Sequence, residues 1–235
     1  MKWDWQVFFQ DPGGNYPTYW QWMVSAWGWT LSVALLALVV ALLVGSLMGI
    51  LRTVPHRGLV FIGNAWTELF RNIPLLVQII LWYHVIPGMF KSLQSVPSFV
   101  LVVFALGFFT SARISEQVKA GIQSLPRGQR YAGLAVGFTL PQTYRHVLLP
   151  MAFRIVLPPL TSESMNIVKN SSVAFAVSVT ELTMFAMQAQ EETSRGVEVY
   201  LAVTALYFVS AFVINRVMLF IEGRLQIPGH TTGKK

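Results

Sequence analysis

Two ionisable residues, Arg113 and Glu163, lie inside long apolar stretches of this 235-residue chain. A charged side chain in a membrane-spanning helix is unfavourable by at least about 2.5–3.5 kcal/mol on insertion scales, so such residues mark candidate functional sites. A guanidinium presents a planar fork that can bind a carboxylate through two hydrogen bonds. A carboxylate can hold an ammonium group. The two residue types together predict a site for a small zwitterion that carries an additional carboxylate.

Further polar residues surround Glu163 in the sequence. On a helix, Ser162 and Asn166 are four residues apart and Glu163 lies close beside them, which predicts a single polar wall. Lys169 follows on the same stretch and fits a charge-balancing or gating role, or a second contact for a carboxylate. Arg71 lies near the end of another apolar stretch. The predicted substrate contacts are therefore Arg71, Arg113, Ser162, Glu163, Asn166 and Lys169.

Pairing within the protein is the alternative for these charges. Arg113 could pair with Glu116, three residues along the same helix. Glu68, Arg71 and Glu116 lie near the ends of their stretches, where long side chains reach the interface or pair with each other. The sequence leaves this alternative open.

The composition indicates one polytopic membrane domain. Hydrophobic residues make up 54% of the chain and charged residues 11%, whereas a soluble domain usually carries about 25% charged residues. The net charge of +7 is spread between apolar stretches, which argues against nucleic-acid binding.

The chain has no cysteine, so disulfides and thiolate chemistry are excluded. It also lacks the G-x-x-x-x-G-K-[ST] motif, so any ATP would be bound by a partner.

Five apolar stretches are long enough to cross a bilayer, which needs about 20 apolar residues as helix. They cover about residues 31–51, 59–86, 99–115, 155–179 and 197–221. The predicted fold is therefore all-α. We divide the chain into an interfacial N-terminal segment (1–24), a membrane domain (25–221) with a cytoplasmic loop (119–154), and a C-terminal tail (222–235).

The basic residues predict an external N-terminus and a cytoplasmic C-terminus. With this orientation the cytoplasmic side receives Arg52, Arg57, Lys119, Arg127, Arg130, Arg145, Arg154, Arg216, Arg224, Lys234 and Lys235, whereas the outside keeps only Lys2, Lys91 and Arg195. Short cytoplasmic loops carry the excess of Lys and Arg in membrane proteins. The tryptophan-rich N-terminal segment is typical of an interfacial belt.

The loop of residues 119–154 is predicted to form a helix, a tight turn and a second short helix. Gly137 can adopt positive φ, and Pro141 fits the first turn of the second helix. We expect Leu149 and Pro150 to end that helix, because proline disfavours α geometry in the residue before it. From spacing alone, a docking surface and an ordinary amphipathic loop are both possible.

Motifs along the chain resemble those of ATP-binding-cassette importer permeases. The run GQRYAGLAVG (128–137) followed by VLLP (147–150) is similar to the Glu-Ala-Ala loop of these permeases. ELFRNIPLLVQ (68–78), AGIQSL (120–125), LPP (157–159) and KNSS (169–172) resemble the polar amino-acid uptake branch, of histidine or glutamate/aspartate type. The resemblance extends from about residue 30 to 228.

This resemblance implies a type I permease fold in a bacterial inner membrane. It implies a cytoplasmic ATPase dimer that holds ATP and magnesium, a second permease subunit, a periplasmic binding protein and surrounding lipid. No cofactor or metal is expected on this chain, and no catalytic residue. Glu163 would hold the α-ammonium of an acidic amino acid, and Arg113 stands where many relatives have tyrosine. The implied coupling residues are Gly128, Gln129, Tyr131, Ala132, Gly133, Gly137, Arg145, Leu149 and Pro150.

The loop departs from the family pattern at two positions. Tyr131 replaces the acidic residue that helps to seat the loop in the ATPase, and Gly133 replaces the second alanine. We interpret this departure as a hint that a second, non-identical permease has the more strongly coupled loop.

Other functions are less compatible with the sequence. A permease for another polar amino acid, such as glutamine, is the nearest alternative. A membrane enzyme is disfavoured because the four histidines are far apart and neither H-E-x-x-H nor G-x-S-x-G occurs. A passive channel would not need a docking loop.

Overall fold

The computed structural model describes residues 3–225, and within this range the chain is helical with connecting turns and no strand. The all-α prediction is therefore confirmed. Lys2, Lys234, Lys235 and all of the predicted tail beyond residue 225 lie outside the described residues.

Ten α-helices follow a short 3₁₀ helix, Trp5–Phe9. They are α1 (Tyr19–Leu51), α2 (Arg57–Asn72), α3 (Leu75–Ile80), α4 (Ile86–Met89), α5 (Ser98–Gln123), α6 (Arg127–Ala135), α7 (Leu140–Thr143), α8 (Leu149–Asn170), α9 (Leu182–Thr193) and α10 (Gly196–Leu225) among the described residues. Leu81–Val85 and Tyr144–Leu148 are π-helical, and Lys91–Leu93 and Ser171–Val177 are 3₁₀.

Three of these helices, α1, α5 and α10, are long and apolar enough to cross a membrane alone, and two bent helix pairs raise the count to five. The predicted spans correspond to these five units. α1 begins at Tyr19, inside the predicted segment 1–24, and α5 continues to Gln123, well past residue 115. Both extensions contain polar residues, which the apolar pattern alone did not include.

The second span is not the single helix that residues 59–86 suggested. The helical axis bends by 103° between α2 and the helix that starts at Leu75. Ile73 is extended and Pro74 precedes the new helix, because proline disfavours α geometry in the residue before it. The side-chain amide of Gln78 donates to the carbonyls of Phe70 and Ile73, at 2.8 and 2.9 Å. This side chain satisfies backbone groups that the break exposes.

A stripe of small residues brings α1 and α5 together. Ala37, Ala41, Gly45 and Gly49 recur every four residues on α1 and are buried. A Cβ added at Gly45 would lie 2.7 Å from the Cβ of Ile114, and one at Gly49 would lie 2.7 Å from the Cβ of Val118. The two helices run parallel, because positions rise together along both. Small residues at this spacing let helix backbones approach closely in membranes.

Two hydrophobic clusters hold the bundle. The larger one joins α1, α5 and α8 and includes Leu106, Ile114 and Ile167. The second cluster joins four elements: the N-terminal 3₁₀ helix, the first turns of α1, helix α9, and the first turns of α10. We call the side of the bundle near this second cluster the Tyr19 end and the opposite side the Leu51 end.

We predict that Gly45→Ala lowers the melting temperature of the purified protein in detergent. The new methyl group would overlap Ile114 and the Ser111 carbonyl, and overpacking typically destabilises by about 1–3 kcal/mol. Gly28→Ala is the matched control on the same helix, because a Cβ at Gly28 meets nothing within 4 Å. Equal melting temperatures for the two variants would contradict the close helix contact.

Candidate functional site

Arg113 and Glu163 contact each other across the α5–α8 interface. Nε of Arg113 lies 3.2 Å from Oε2 of Glu163, with side chains 42% and 6% exposed. The side-chain amide of Gln117 donates to the other carboxylate oxygen at 3.2 Å. The buried carboxylate therefore has a polar contact at each oxygen. The guanidinium keeps part of its surface accessible, as a side chain that meets a ligand requires.

The packing of α5 against α8 positions this pair. Gly121 on α5 is buried against Val156, with no space for a side chain between them. Pro158 and Pro159 lie inside α8, one turn before Glu163. Because prolines lack the N–H that continues the ladder, this part of α8 has fewer internal hydrogen bonds than an ordinary helix.

The alternative pairing of Arg113 with Glu116 is wrong. Oε1 of Glu116 instead accepts from Arg52 at 2.9 Å and from Arg71 at 3.1 Å. Glu116 lies one turn further along α5 than Arg113. The carboxylate of Glu116 nevertheless reaches arginines from α2 and the end of α1, whereas the guanidinium of Arg113 reaches α8.

Arg52 and Arg71 belong to a polar network at the Leu51 end. The Arg52 side chain is only 4% exposed and also donates to Asn64 and Ser115, at 2.8 and 3.2 Å. Arg71 pairs with Glu68 at 2.8 Å. The network joins α1, α2 and α5. The predicted contact Arg71 is therefore engaged here, and the structure does not bring it into contact with the Arg113–Glu163 pair.

The polar wall predicted on α8 is divided between faces. Glu163 is buried against α5, whereas Ser162 and Lys169 are exposed and Asn166 is half-buried. Successive helical residues are about 100° apart around the axis, so Ser162 cannot share the face of Glu163. Among residues 3–225, none of these three side chains hydrogen-bonds to Glu163. Their substrate role stays a prediction.

Sequence reasoning missed Gln117 and Thr110. Both lie on the face of α5 that carries Arg113: Thr110 is three residues before Arg113, and Gln117 is four residues after it. The hydroxyl oxygen of Thr110 and the amide oxygen of Gln117 are buried without a hydrogen-bond partner in the described part of the chain. Helical spacing around Arg113 was the signal that could have found them. They add two hydrogen-bonding oxygens to the wall around the pair.

The turn in the 119–154 loop has the predicted geometry. Gly137 has φ of 92°, the left-handed conformation that glycine adopts without strain. Phe138 N–H donates to the Gly133 carbonyl at 3.1 Å, and Gly137 N–H donates to that of Leu134 at 3.0 Å. These two bonds form a Schellman motif at the end of α6. Pro141 lies in the first turn of α7, as predicted.

Leu149 and Pro150 do not end the second helix, contrary to the prediction. The chain stays helical from Leu140 through α7, the π-helical turn and α8 to Val177. The N–H of Leu149 donates to the carbonyl of Tyr144, one residue further back than in an α-helix. This wider turn accommodates the proline at position 150 without a break. The loop and the fourth span thus share one helix.

The loop exposes apolar side chains towards the Leu51 end. Tyr131 is 66% and Val136 72% exposed, and Phe138 and Arg145 are also exposed. Of the other predicted coupling residues, Gly128, Ala132, Gly137 and Pro150 are exposed, and Gln129 and Leu149 are half-buried. Exposed apolar groups of this extent mark interaction surfaces.

Gly133 is buried and faces the loop interior. A Cβ at Gly133 would lie 2.8 Å from Cγ2 of Thr143, so α6 approaches α7 where the family pattern has alanine. The departure at this position therefore has a packing reason within the loop.

Metal ligands do not cluster in the structure. Residues 3–225 contain no group of three His, Asp or Glu side chains that could hold a metal ion. The prediction that this chain binds no cofactor stays a prediction.

Comparisons with known proteins show the family and the fold of this chain. Residues 41–227 match the family described as binding-protein-dependent transport system inner membrane component. The chain is 43% identical to the glutamate/aspartate import permease protein GltJ of Escherichia coli K12, over 100% of this chain and 99% of the relative. It is 26% identical to the glutamate/aspartate import permease protein GltK of E. coli CFT073, over 83% of this chain and 89% of the relative.

A solved structure has the same fold. The crystal structure of an amino acid ABC transporter with histidines matches with a TM-score of 0.76 and 29% identity. The match covers 88% of this chain and 95% of the other chain.

We predict that Arg113→Met and Glu163→Gln are non-additive in thermal unfolding of the purified protein. Each single change leaves a charge without its partner, so the double variant should recover about 0.5–3 kcal/mol relative to the sum. Arg113→Met combined with Glu116→Gln is the control, and it should be close to additive because Glu116 pairs with Arg52 and Arg71. Additivity in the first cycle would contradict the ion pair.

Proposed function

Because the chain belongs to the family of binding-protein-dependent transport system inner membrane components, we propose that it forms the translocation path of an importer for glutamate and aspartate. Membership confirms the predicted permease class and inner-membrane setting. The chain is a transporter subunit, not an enzyme, and ATP hydrolysis belongs to a separate subunit.

The Arg113–Glu163 contact carries the substrate proposal. An acidic amino acid has an ammonium that matches Glu163 and a side-chain carboxylate that matches Arg113. Binding would exchange one internal ion pair for two pairs with the substrate, so neither protein charge is left unpaired in the membrane. This exchange matters because an uncompensated buried charge is strongly unfavourable. The name of GltJ, a full-length relative, supports the same substrates.

Neutral amino acids fit this exchange less well. Glutamine offers an ammonium to Glu163 but no second carboxylate to Arg113. Its binding would break the internal pair and leave the guanidinium with a neutral amide, which forms a weaker hydrogen bond than a carboxylate does. Glutamine is therefore the alternative substrate that the experiment below must exclude.

The loop couples this site to the ATPase in our proposal. Its exposed surface of Tyr131, Val136, Phe138 and Arg145 would dock on the cytoplasmic ATPase dimer, which holds ATP and magnesium. The helix that begins at Leu140 continues to Val177 and includes position 163. A displacement of the docked loop would therefore move Glu163 relative to Arg113 on α5.

The remaining partners follow from the same proposal. A second permease completes the path, and we expect it to be non-identical because Tyr131 departs from the acidic family position. The two differently named E. coli relatives, GltJ and GltK, support this expectation. A periplasmic binding protein would deliver substrate to the Tyr19 end, and lipid surrounds the spans.

The orientation is also part of the proposal. The described residues at the Leu51 end include Arg52, Arg57, Arg127 and Arg145, whereas the Tyr19 end carries Glu191 and Glu192. The excess of basic residues favours the Leu51 end as cytoplasmic. The N-terminus is then external and the C-terminus cytoplasmic.

We predict that Arg113→Tyr abolishes the preference for acidic substrates. The test measures substrate-stimulated ATPase activity of the complex in proteoliposomes, with glutamate, aspartate, glutamine and histidine. Stimulation by glutamate should require at least about tenfold more substrate in the variant, the effect of losing roughly 1.4 kcal/mol of binding.

Arg113→Lys is the matched control, since it keeps the positive charge without the planar fork. It should retain the order of preference with a smaller loss. Unchanged glutamate stimulation in Arg113→Tyr, or stimulation of the original protein by histidine and not by glutamate, would refute the substrate proposal.

We predict that Gly137→Val uncouples transport from ATP hydrolysis while the protein still inserts. A β-branched residue is strained at a φ of 92°, so the turn and its docking surface should change. Gly88→Val, outside the loop, is the control, because a Cβ at Gly88 meets nothing within 4 Å and its φ is not in the left-handed region. Unimpaired transport in Gly137→Val would argue against loop docking.

A further inference from the structure

The fourth span changes direction at residues 178–181. The helix that ends at Val177 and helix α9 are inclined by 54°. Ser178 has φ of 59° and ψ of 30°, a left-handed conformation that is uncommon for a residue other than glycine. Residues 178–181 thus form a short non-helical segment between two stiff elements. We call this segment the 178–181 joint.

The boundary between the two hydrophobic clusters passes through this joint. Val177 and Val179 pack in the larger cluster with α1, α5 and α8. Leu182, Phe185 and Ala186 pack in the second cluster with α10 and the N-terminal 3₁₀ helix. The apolar surroundings therefore change at the joint, while α1 and α10 contact the helices on both sides of it.

Glu181, the last residue of the joint, caps the N-terminus of α9. Glu181 is fully buried, and its oxygens accept from the N–H groups of Thr183 and Met184, at 2.8 and 3.0 Å. It is the N-cap of α9, a position that favours negative charge. In residues 3–225 no Lys or Arg forms an ion pair with it. Hydrogen bonds alone therefore stabilise this acid in apolar surroundings.

Two other helices complete these contacts. The hydroxyl of Tyr207 on α10 donates to Oε2 of Glu181 at 2.7 Å. The hydroxyl oxygen of Thr30 on α1 accepts from the N–H of Leu182 at 3.1 Å. The start of α9 is thus attached to α10 and α1 through polar bonds at Glu181, the last residue of the joint, and at Leu182.

We propose that the 178–181 joint is a hinge and that Glu181 and Tyr207 are positioning residues that set its angle. The arm from Leu140 to Val177 moves as one helix with Glu163, and α9 stays fixed to α10 and α1. The bond from Tyr207 to the Glu181 carboxyl group holds the preferred angle, because it ties α10 to the residue at which the joint ends.

The experiment measures the joint directly in the assembled transporter. The chain has no cysteine, so Phe153→Cys on α8 and Met187→Cys on α9 give a spin-label pair across the joint at two exposed positions. Met187→Cys with Val213→Cys is the control pair, because α9 and α10 lie on the same side. The distance between the two spin labels is measured by pulsed electron–electron double resonance, with and without ATP.

Tyr207→Phe should change the distances across the joint and leave the control pair unchanged. We expect the population of minor distances for the 153–187 pair to increase about tenfold, as the loss of one buried hydrogen bond implies. Glu181→Gln, which keeps an acceptor for the α9 N–H groups, should have the same effect. Tyr200→Phe is the matched control, since Tyr200 is exposed on the same helix.

Transport supplies a second readout, and this readout rests on the proposed substrate. In Tyr207→Phe the maximal rate should fall about tenfold while the KM for substrate changes less than twofold. Unchanged 153–187 distances, or equal broadening of the control pair, would overturn the hinge. Failure of the acidic-substrate proposal would leave the distance results unaffected, so the two failures are distinguishable.

Discussion

Charges and free backbone groups in an apolar environment need partners inside the protein, and this constraint organises the whole bundle. Arg113 forms an ion pair with Glu163, and Glu116 forms ion pairs with Arg52 and Arg71. Backbone carbonyls freed at the bend before Pro74 are satisfied by the Gln78 amide. The ion pairs join helices that are distant in sequence, whereas the Gln78 contacts are local. Polar pairing and the close packing of small residues together determine which helices touch.

The same constraint separates permanent contacts from exchangeable ones. Arg52 is nearly inaccessible and has three different side-chain partners, so its network ties α1, α2 and α5 together. Arg113 has one ion-pair partner among residues 3–225 and a half-exposed guanidinium. A ligand could replace that single contact without dismantling the bundle. Burial and the number of partners therefore distinguish Arg113 from Arg52.

The sequence was sufficient for features that depend on local rules. Apolar length predicted the five spans, and the turn at Gly137 and the place of Pro141 followed from the conformations of those two residues. Local rules failed at Pro150, where a π-helical turn keeps the helix continuous, and at residues 73–74, where the second span bends. The pairing of Arg113 depends on how α5 meets α8, fifty residues apart. Single-sequence periodicity contains no such information, so the sequence left Glu116 as the alternative partner of Arg113.

The small-residue stripe between α1 and α5 has a mechanical consequence. Ile114 and Val118 fit against Gly45 and Gly49 so closely that neither helix can slide or rotate past the other without steric overlap. We therefore expect α1 and α5 to move as one unit that carries Arg113. Any alternation between outward and inward access then has to come from elements that move around this unit.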